Sequence, residues 1–154
     1  MIPSVLTLVQ YFAYGSNLCK SQMSERVGAW NTSEKAVLHC WKLVFNVPSS
    51  TWHCGAANII KTNNPADIVY GVIYDISDSQ LDILTTKYEK VSPIDVKVES
   101  GGKSICAKAY SFKVDRPKLK PNSEYLKKIL QGLTDHGYEK SILELVISEA
   151  NSVK

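Results

Sequence analysis

The sequence predicts an α+β fold, with a mixed, twisted sheet closing into a small barrel-like structure and helices flanking it. Three observations carry this. Apolar runs of strand length dominate the first two-thirds of the 154 residues. One of them, Ile68 to Ile76 (IVYGVIYDI), is apolar on both faces, which suits a strand in the middle of a sheet. Helical spacing is confined to short, capped segments and to the C-terminal end.

Each element has its own signal. The first strand reads from Leu6 to Tyr14 and stops at Gly15-Ser16-Asn17. A short helix over Cys19 to Val27 follows. Val37 to Val47 reads as one strand that ends before Pro48. Ala56 to Lys61 is a strand bounded by Gly55 and the Asn63-Asn64-Pro65 turn. Ser77-Asp78-Ser79-Gln80 forms a capping box, with Ile76 and Leu81 at the staple positions. Leu81, Leu84 and Tyr88 then share a face. This helix ends near Tyr88, since Pro93 forbids much further extension. Val96 to Glu99 and Ile105 to Lys113 flank Gly101-Gly102 as a hairpin. Ser123 to Leu130 and Tyr138 to Ala150 read as two helices, broken around Gly132 and Gly137. With no repeat and no linker, residues 1–154 read as one domain.

Composition excludes several classes. Hydrophobic residues at 44% and charged residues at 21% exclude a disordered chain. A net charge of +3 without a basic block argues against a nucleic-acid partner. No apolar run approaches the roughly 18 residues that span a bilayer, so no membrane partner is expected. Met1-Ile2-Pro3-Ser4 lacks the charged start of a signal peptide. Cys19, Cys40, Cys54 and Cys106 lack C-x-x-C spacing. They fit free thiols in a reducing compartment, and a cytoplasmic location is the expectation. His39, His53 and His136 show no metal-site spacing and read as structural. No phosphate-binding loop or dinucleotide motif is present, so neither metal nor cofactor is expected.

Two segments suggest chemistry. At Gly15-Ser16-Asn17 a strand meets a helix, where a glycine admits close backbone approach and Ser or Asn can cap. Free N–H groups at such a turn suit an anion, although an ordinary turn has the same composition. Glu89 lies at the end of the helix that begins at Ser77. The helix dipole and burial beside Tyr88 and Val91 would raise its pKa toward that of a general base. A solvated Glu89 offset by Lys90 is the plainer reading of the same residues. Asp75, Asp95 and the tyrosines are the fallback bases. Tyr70, Tyr74 and Tyr110 read as core or pocket wall.

The segment Tyr11-Phe12-Ala13-Tyr14-Gly15-Ser16-Asn17-Leu18 resembles the signature loop of the gamma-glutamylcyclotransferases. Thr51-Trp52-His53-Cys54-Gly55 is similar to the Thr-Trp-His-Gly-Gly stretch of the animal enzyme. Tyr70-Gly71-Val72-Ile73-Tyr74, Ser79-Gln80-Leu81, Leu84 and Glu89 follow in the family's order, and Pro121, Ser123, Tyr125, Gly132 and Gly137 extend the match. The resemblance implies that family's barrel-like fold and conversion of an L-γ-glutamyl amino acid to 5-oxoproline and a free amino acid. It implies Glu89 as proton acceptor, and Tyr11, Phe12, Ala13, Tyr14, Gly15, Ser16 and Asn17 as the substrate cradle. Tyr110 and Tyr125 would contact the small-molecule substrate. The resemblance implies no metal and no cofactor, and it implies a homodimer. The alternatives are a γ-glutamylamine cyclotransferase and a ligand-binding or interaction module with weak turnover. Two positions depart from the family pattern. Lys90 stands where Gly commonly follows the catalytic Glu, and Asp95-Val96 stands where a Tyr is usual. An inward Lys90 would lower the pKa of Glu89.

Overall fold

In the computed structural model, the residues described are 8–49, 51–114 and 117–152. Leu6 and Thr7 of the expected first strand, and the Met1–Ser4 start, lie outside them. The chain forms β1 (Leu8–Ala13), α1 (Lys20–Val27), β2 (Ser33–His39), β3 (Trp41–Ser49), β4 (Cys54–Lys61), β5 (Ile68–Ser77), α2 (Asp78–Ile83), β6 (Ile94–Ser100), β7 (Lys103–Ala109), α3 (Ser123–Asp135) and α4 (Lys140–Asn151). A 3-10 turn over Ser16–Leu18 joins β1 to α1, and a π-helical turn over Leu84–Glu89 extends α2.

Five strands close into a barrel in the order β1-β5-β2-β6-β7. A parallel contact between Tyr11 and Lys108 closes it, and the other pairs run antiparallel. β5 lies between β1 and β2, so Tyr74 faces Tyr11 on one side and Ser33 on the other. That position explains why both faces of this strand are apolar: Val69, Val72, Ile73, Tyr74 and Ile76 are all buried. β3 and β4 form a separate two-stranded sheet with an irregularity at Asn46.

Three expectations on element boundaries are corrected. Val37 to Val47 is two strands, because Cys40 takes a left-handed turn (φ 70°). Its N–H donates to the Asp67 carbonyl and its carbonyl accepts from Thr62 N–H, which sends β2 to the barrel and β3 to β4. The Gly101-Gly102 hairpin forms as expected, with both glycines at positive φ, but β7 stops at Ala109 rather than Lys113. The Asn58 side chain takes the Phe112 N–H at 2.8 Å and donates to the Phe112 carbonyl at 2.8 Å, drawing that segment to β4. Gly132 does not break a helix. α3 runs through it to Asp135, and Gly137 (φ 83°) makes the break instead. α4 starts at Lys140, while Tyr138 spans out to donate to the Gly71 and Ala36 carbonyls.

The capping box is present in full. Ser77 Oγ accepts from Gln80 N–H at 3.1 Å, and Gln80 Oε1 accepts from Ser77 N–H at 2.9 Å. The Gln80 amide also donates to the carbonyls of Val27 and Ala29. The start of α2 is thereby pinned to the end of α1, on which the geometry of the cleft depends.

Gly132 holds α3 against the turn after β1. A Cβ there would lie 2.1 Å from the Leu18 backbone carbon. Overpacking costs about 1–3 kcal/mol. The helix preference of Ala over Gly, about 1 kcal/mol, opposes it but does not move a backbone atom. Gly132→Ala is expected to lower the melting temperature by several degrees. An unchanged or raised melting temperature would show that this helix is free to move away from Leu18.

Candidate active site

α2 is an ordinary helix for six residues and then widens into the π turn. In an α-helix Leu84 and Tyr88, four apart, would share a face. A π turn repeats at five, so the residue that follows Leu84 around is Glu89. Leu84 is fully buried while Tyr88 is 41% exposed, which corrects the expected face. The Arg26 guanidinium stacks on the Tyr88 ring at 4.3 Å. The turn ends at Lys90, whose φ of 58° and ψ of 31° are left-handed. That conformation favours glycine, which gives a physical reason for a Gly at this place and a strain for Lys to bear.

Glu89 faces a cleft of about 250 Å³ at one end of the barrel. Tyr11, Tyr14, Gly15, Ser16 and Asn17 come to it from the end of β1 and the turn. Trp52 and Ala57 come from β4 and the turn before it, Tyr110 from beyond β7, and Tyr125 from α3. Phe12 and Ala13 do not line it. Phe12 points away and packs where a Cβ on Gly71 would fall. Asp75 lies elsewhere, accepting from Gln10 and Asn31, and exposed Asp95 pairs with Lys108 at 2.5 Å.

The polar wall is a connected network. Asn17 Nδ2 donates to the Tyr11 hydroxyl at 3.0 Å. Asn17 Oδ1 accepts from Gln22 and from Arg26, both at 3.1 Å. Ser16 Oγ accepts from Gln22 at 2.7 Å. Ser16 and Asn17 therefore act through side-chain bonds and make no helix cap, contrary to expectation. The backbone bonds of the turn start at Leu18 and Cys19 N–H, so the first N–H groups of the 3-10 turn stay outside its ladder. The Tyr125 hydroxyl accepts from Ala57 N–H at 2.8 Å, and the Tyr110 hydroxyl meets Thr85 Oγ1 at 2.8 Å. The Tyr14 hydroxyl donates to the Tyr110 carbonyl. Gly15 has an ordinary negative φ, and its need for Gly is one of space: a Cβ would sit 3.3 Å from the Tyr125 hydroxyl.

Burial pushes the Glu89 carboxyl above its ordinary value of 4.5, and the Arg26 charge pulls part of the way back. Burial also raises Tyr11, Tyr14, Tyr110 and Tyr125, and the Glu89 charge raises each of them further, Tyr110 to about 12. The hydroxyls around Glu89 are thus neutral donors at physiological pH. Lys90 is exposed, and the cation that acts on Glu89 is Arg26, which sequence reasoning missed. The signal was Gln22 and Arg26 four apart on α1, one face aimed back at the turn. Thr85, four residues before Glu89, was missed in the same way. Among the described residues no group of three or more His, Cys, Asp or Glu is placed to hold a metal ion.

The sign of the Glu89 shift fixes a stability profile. A raised carboxyl pKa means that the folded state holds the proton more tightly than the unfolded state. Ionisation therefore destabilises the fold, fully so above the folded pKa and not at all below the unfolded one. Glu89→Gln should melt higher than wild type at pH 8, and that advantage should vanish as pH falls below 4.5. An equal or lower melting temperature at pH 8 would mean that the carboxylate is well solvated or paired. Lys90→Gly should also stabilise, by about 1 kcal/mol, by removing left-handed strain at a non-glycine residue. A loss of stability on denaturant unfolding would contradict this.

The comparisons bear on this site. Residues 68–143, which include Glu89, match the AIG2-like family. No curated protein sequence matches the chain. A solved gamma-glutamyl cyclotransferase superposes with a TM-score of 0.82 at 30% identity, over 92% of this chain and 88% of that one. An uncharacterized protein from Homo sapiens follows at 0.78 and 29%, over 92% and 87%. A gamma-glutamyl cyclotransferase specific to glutathione from yeast shares the fold, with a TM-score of 0.69 at 13% identity over 96% and 97%. A barrel of this topology, the Tyr-Gly-Ser-Asn turn at its mouth and that likeness over nearly the whole chain agree: the chain belongs to the gamma-glutamyl cyclotransferase family.

Proposed function

We propose that the protein converts γ-glutamyl amino acids to 5-oxoproline and the free amino acid, with Glu89 as the proton acceptor. The observation that carries this reading is a carboxylate desolvated in a cleft walled by tyrosine hydroxyls and the Asn17 amide, its charge only partly offset by Arg26. The nucleophile is the substrate's own α-amine, whose pKa is about 8, so that most of it is protonated at neutral pH. A carboxyl raised above 4.5 accepts that proton more readily than a surface carboxylate would. The freed nitrogen attacks the γ-carbonyl carbon and closes a five-membered ring. Glu89 hands its proton to the leaving nitrogen as the amide C–N bond breaks, then takes the second proton from the ring nitrogen and passes it to the departing amine, which leaves as an ammonium while Glu89 returns to carboxylate. Such proton transfer contributes about 10²–10⁴-fold.

The neighbours of Glu89 suit the remaining requirements. The N–H groups of the turn at Gly15 to Asn17 and the hydroxyls of Tyr11 and Tyr125, which accept from Asn17 and Ala57, are donors for the α-carboxylate and for the developing oxyanion. The aromatic walls, Trp52 against Tyr125 at 5.4 Å and Tyr11 against Tyr110 at 5.7 Å, hold the curled substrate and exclude water.

Glu89→Gln keeps the size of the side chain and removes the base. Its kcat for 5-oxoproline release from a γ-glutamyl dipeptide should fall by about 10²-fold or more, while the protein stays folded. The wild-type acid limb of kcat/KM should lie above pH 4.5, because burial raises the Glu89 carboxyl. A Gln variant within a few-fold of wild type would place the base elsewhere. Binding of 5-oxoproline with no turnover by wild type would make the protein a ligand-binding module on this fold.

A further inference from the structure

The mouth of the cleft carries more positive charge than the proton transfer uses. Among the described residues that line it, Glu89 is the one carboxylate, against Arg26, Lys87 and Lys90. Arg26 is already engaged, bonded to Asn17 and stacked on Tyr88. Lys87 and Lys90 are exposed, and neither is in an ion pair among the described residues. Lys87 belongs to the π turn and Lys90 caps it, so the backbone that positions Glu89 also places both lysines at the rim. With Glu89 ionised, the lining carries a charge of three minus one, or +2. A γ-glutamyl amino acid in its reactive, neutral-amine form carries two carboxylates, one on the glutamyl part and one on the leaving group. A γ-glutamyl alkylamine carries one.

We infer that Lys87 and Lys90 form a cationic rim that selects leaving groups bearing carboxylates, acidic amino acids most strongly. The inference rests on the proposed reaction for its choice of ligand, but its mechanism is one of binding. Opposite charge at a low-dielectric cleft concentrates the anionic ligand and is screened by salt.

The test uses three ligands that differ only in the leaving group: γ-glutamyl-aspartate, γ-glutamyl-alanine and γ-glutamyl-ethylamide. Each Kd is measured by calorimetry on the Glu89→Gln protein, with and without Lys87→Gln and Lys90→Gly. Lys90→Gly suits the left-handed backbone, and Lys87→Gln alone serves if the pair together misfolds. Affinity is expected to fall from aspartate to alanine to ethylamide, by about 5–20-fold across the series at low salt. The spread should shrink to about twofold in the lysine variant, and also when salt is raised to about 500 mM. A spread unchanged by the lysine substitutions, or equal affinities for the three ligands, overturns the inference. Release of 5-oxoproline by wild type is scored separately. The affinity ranking without turnover leaves the rim standing and removes the proposed reaction; turnover without the ranking does the reverse. Failure of all three ligands to bind, together with no release by wild type, removes both.

Discussion

Taking the Glu89 carboxylate out of water raises the free energy of its charged form, and one end of the barrel is organised around that cost. Arg26 offsets part of it through space, while remaining bonded to Asn17 and stacked on Tyr88. Burial with only partial compensation leaves a carboxyl that holds a proton more tightly than a surface group does. Full compensation by a direct ion pair would pull the group back toward an ordinary acid and remove the reason for burying it. The tyrosines respond to the same charge. Their hydroxyls are held neutral, so they remain donors.

The backbone pays locally for this arrangement. A π turn replaces the last α-helical turn, and a lysine caps it in a left-handed conformation. Both features are less favourable than an α-helix closed by glycine. The rest of the fold holds them in place. The Ser77–Gln80 capping box anchors the start of α2 to the end of α1, and the glycine contact of α3 with Leu18 fixes the turn opposite. A π turn and a left-handed lysine beside a desolvated ionisable group are local strain that the surrounding packing holds in place.

Much of this was legible in the residues. β5 declared itself by being apolar on both faces, the capping box by Ser77 and Gln80, and the hairpin by Gly101-Gly102. Each signal is local, so tertiary packing had little to override. What was not legible depended on contacts between distant segments. Cys40 looks like any strand residue, and only its left-handed turn separates β2 from β3. Gly132 has a breaker's composition, but its purpose is a close approach to Leu18, 114 positions earlier. Of the cradle read from the signature, the tyrosines, Gly15, Ser16 and Asn17 line the cleft, whereas Phe12 and Ala13 do not; alternation along the strand turns Phe12 to the face opposite Tyr11. Counting in fours puts Tyr88 on the buried face, which a π turn defeats. Lys90 adjoins Glu89 in sequence, yet Arg26, 63 positions away, is the cation that acts on it.

The central claim is that Glu89 is a desolvated carboxyl that titrates above ordinary carboxylates. The most direct measurement is a pH titration of its side-chain carboxyl carbon by NMR in glutamate-labelled protein. The resonance is identified by its absence from the Glu89→Gln spectrum. The account predicts a midpoint above 4.5 for this resonance in the free protein. A midpoint at or below 4.5 would contradict it, because Glu89 would then be solvated or tightly paired and ill suited to take a proton from an amine.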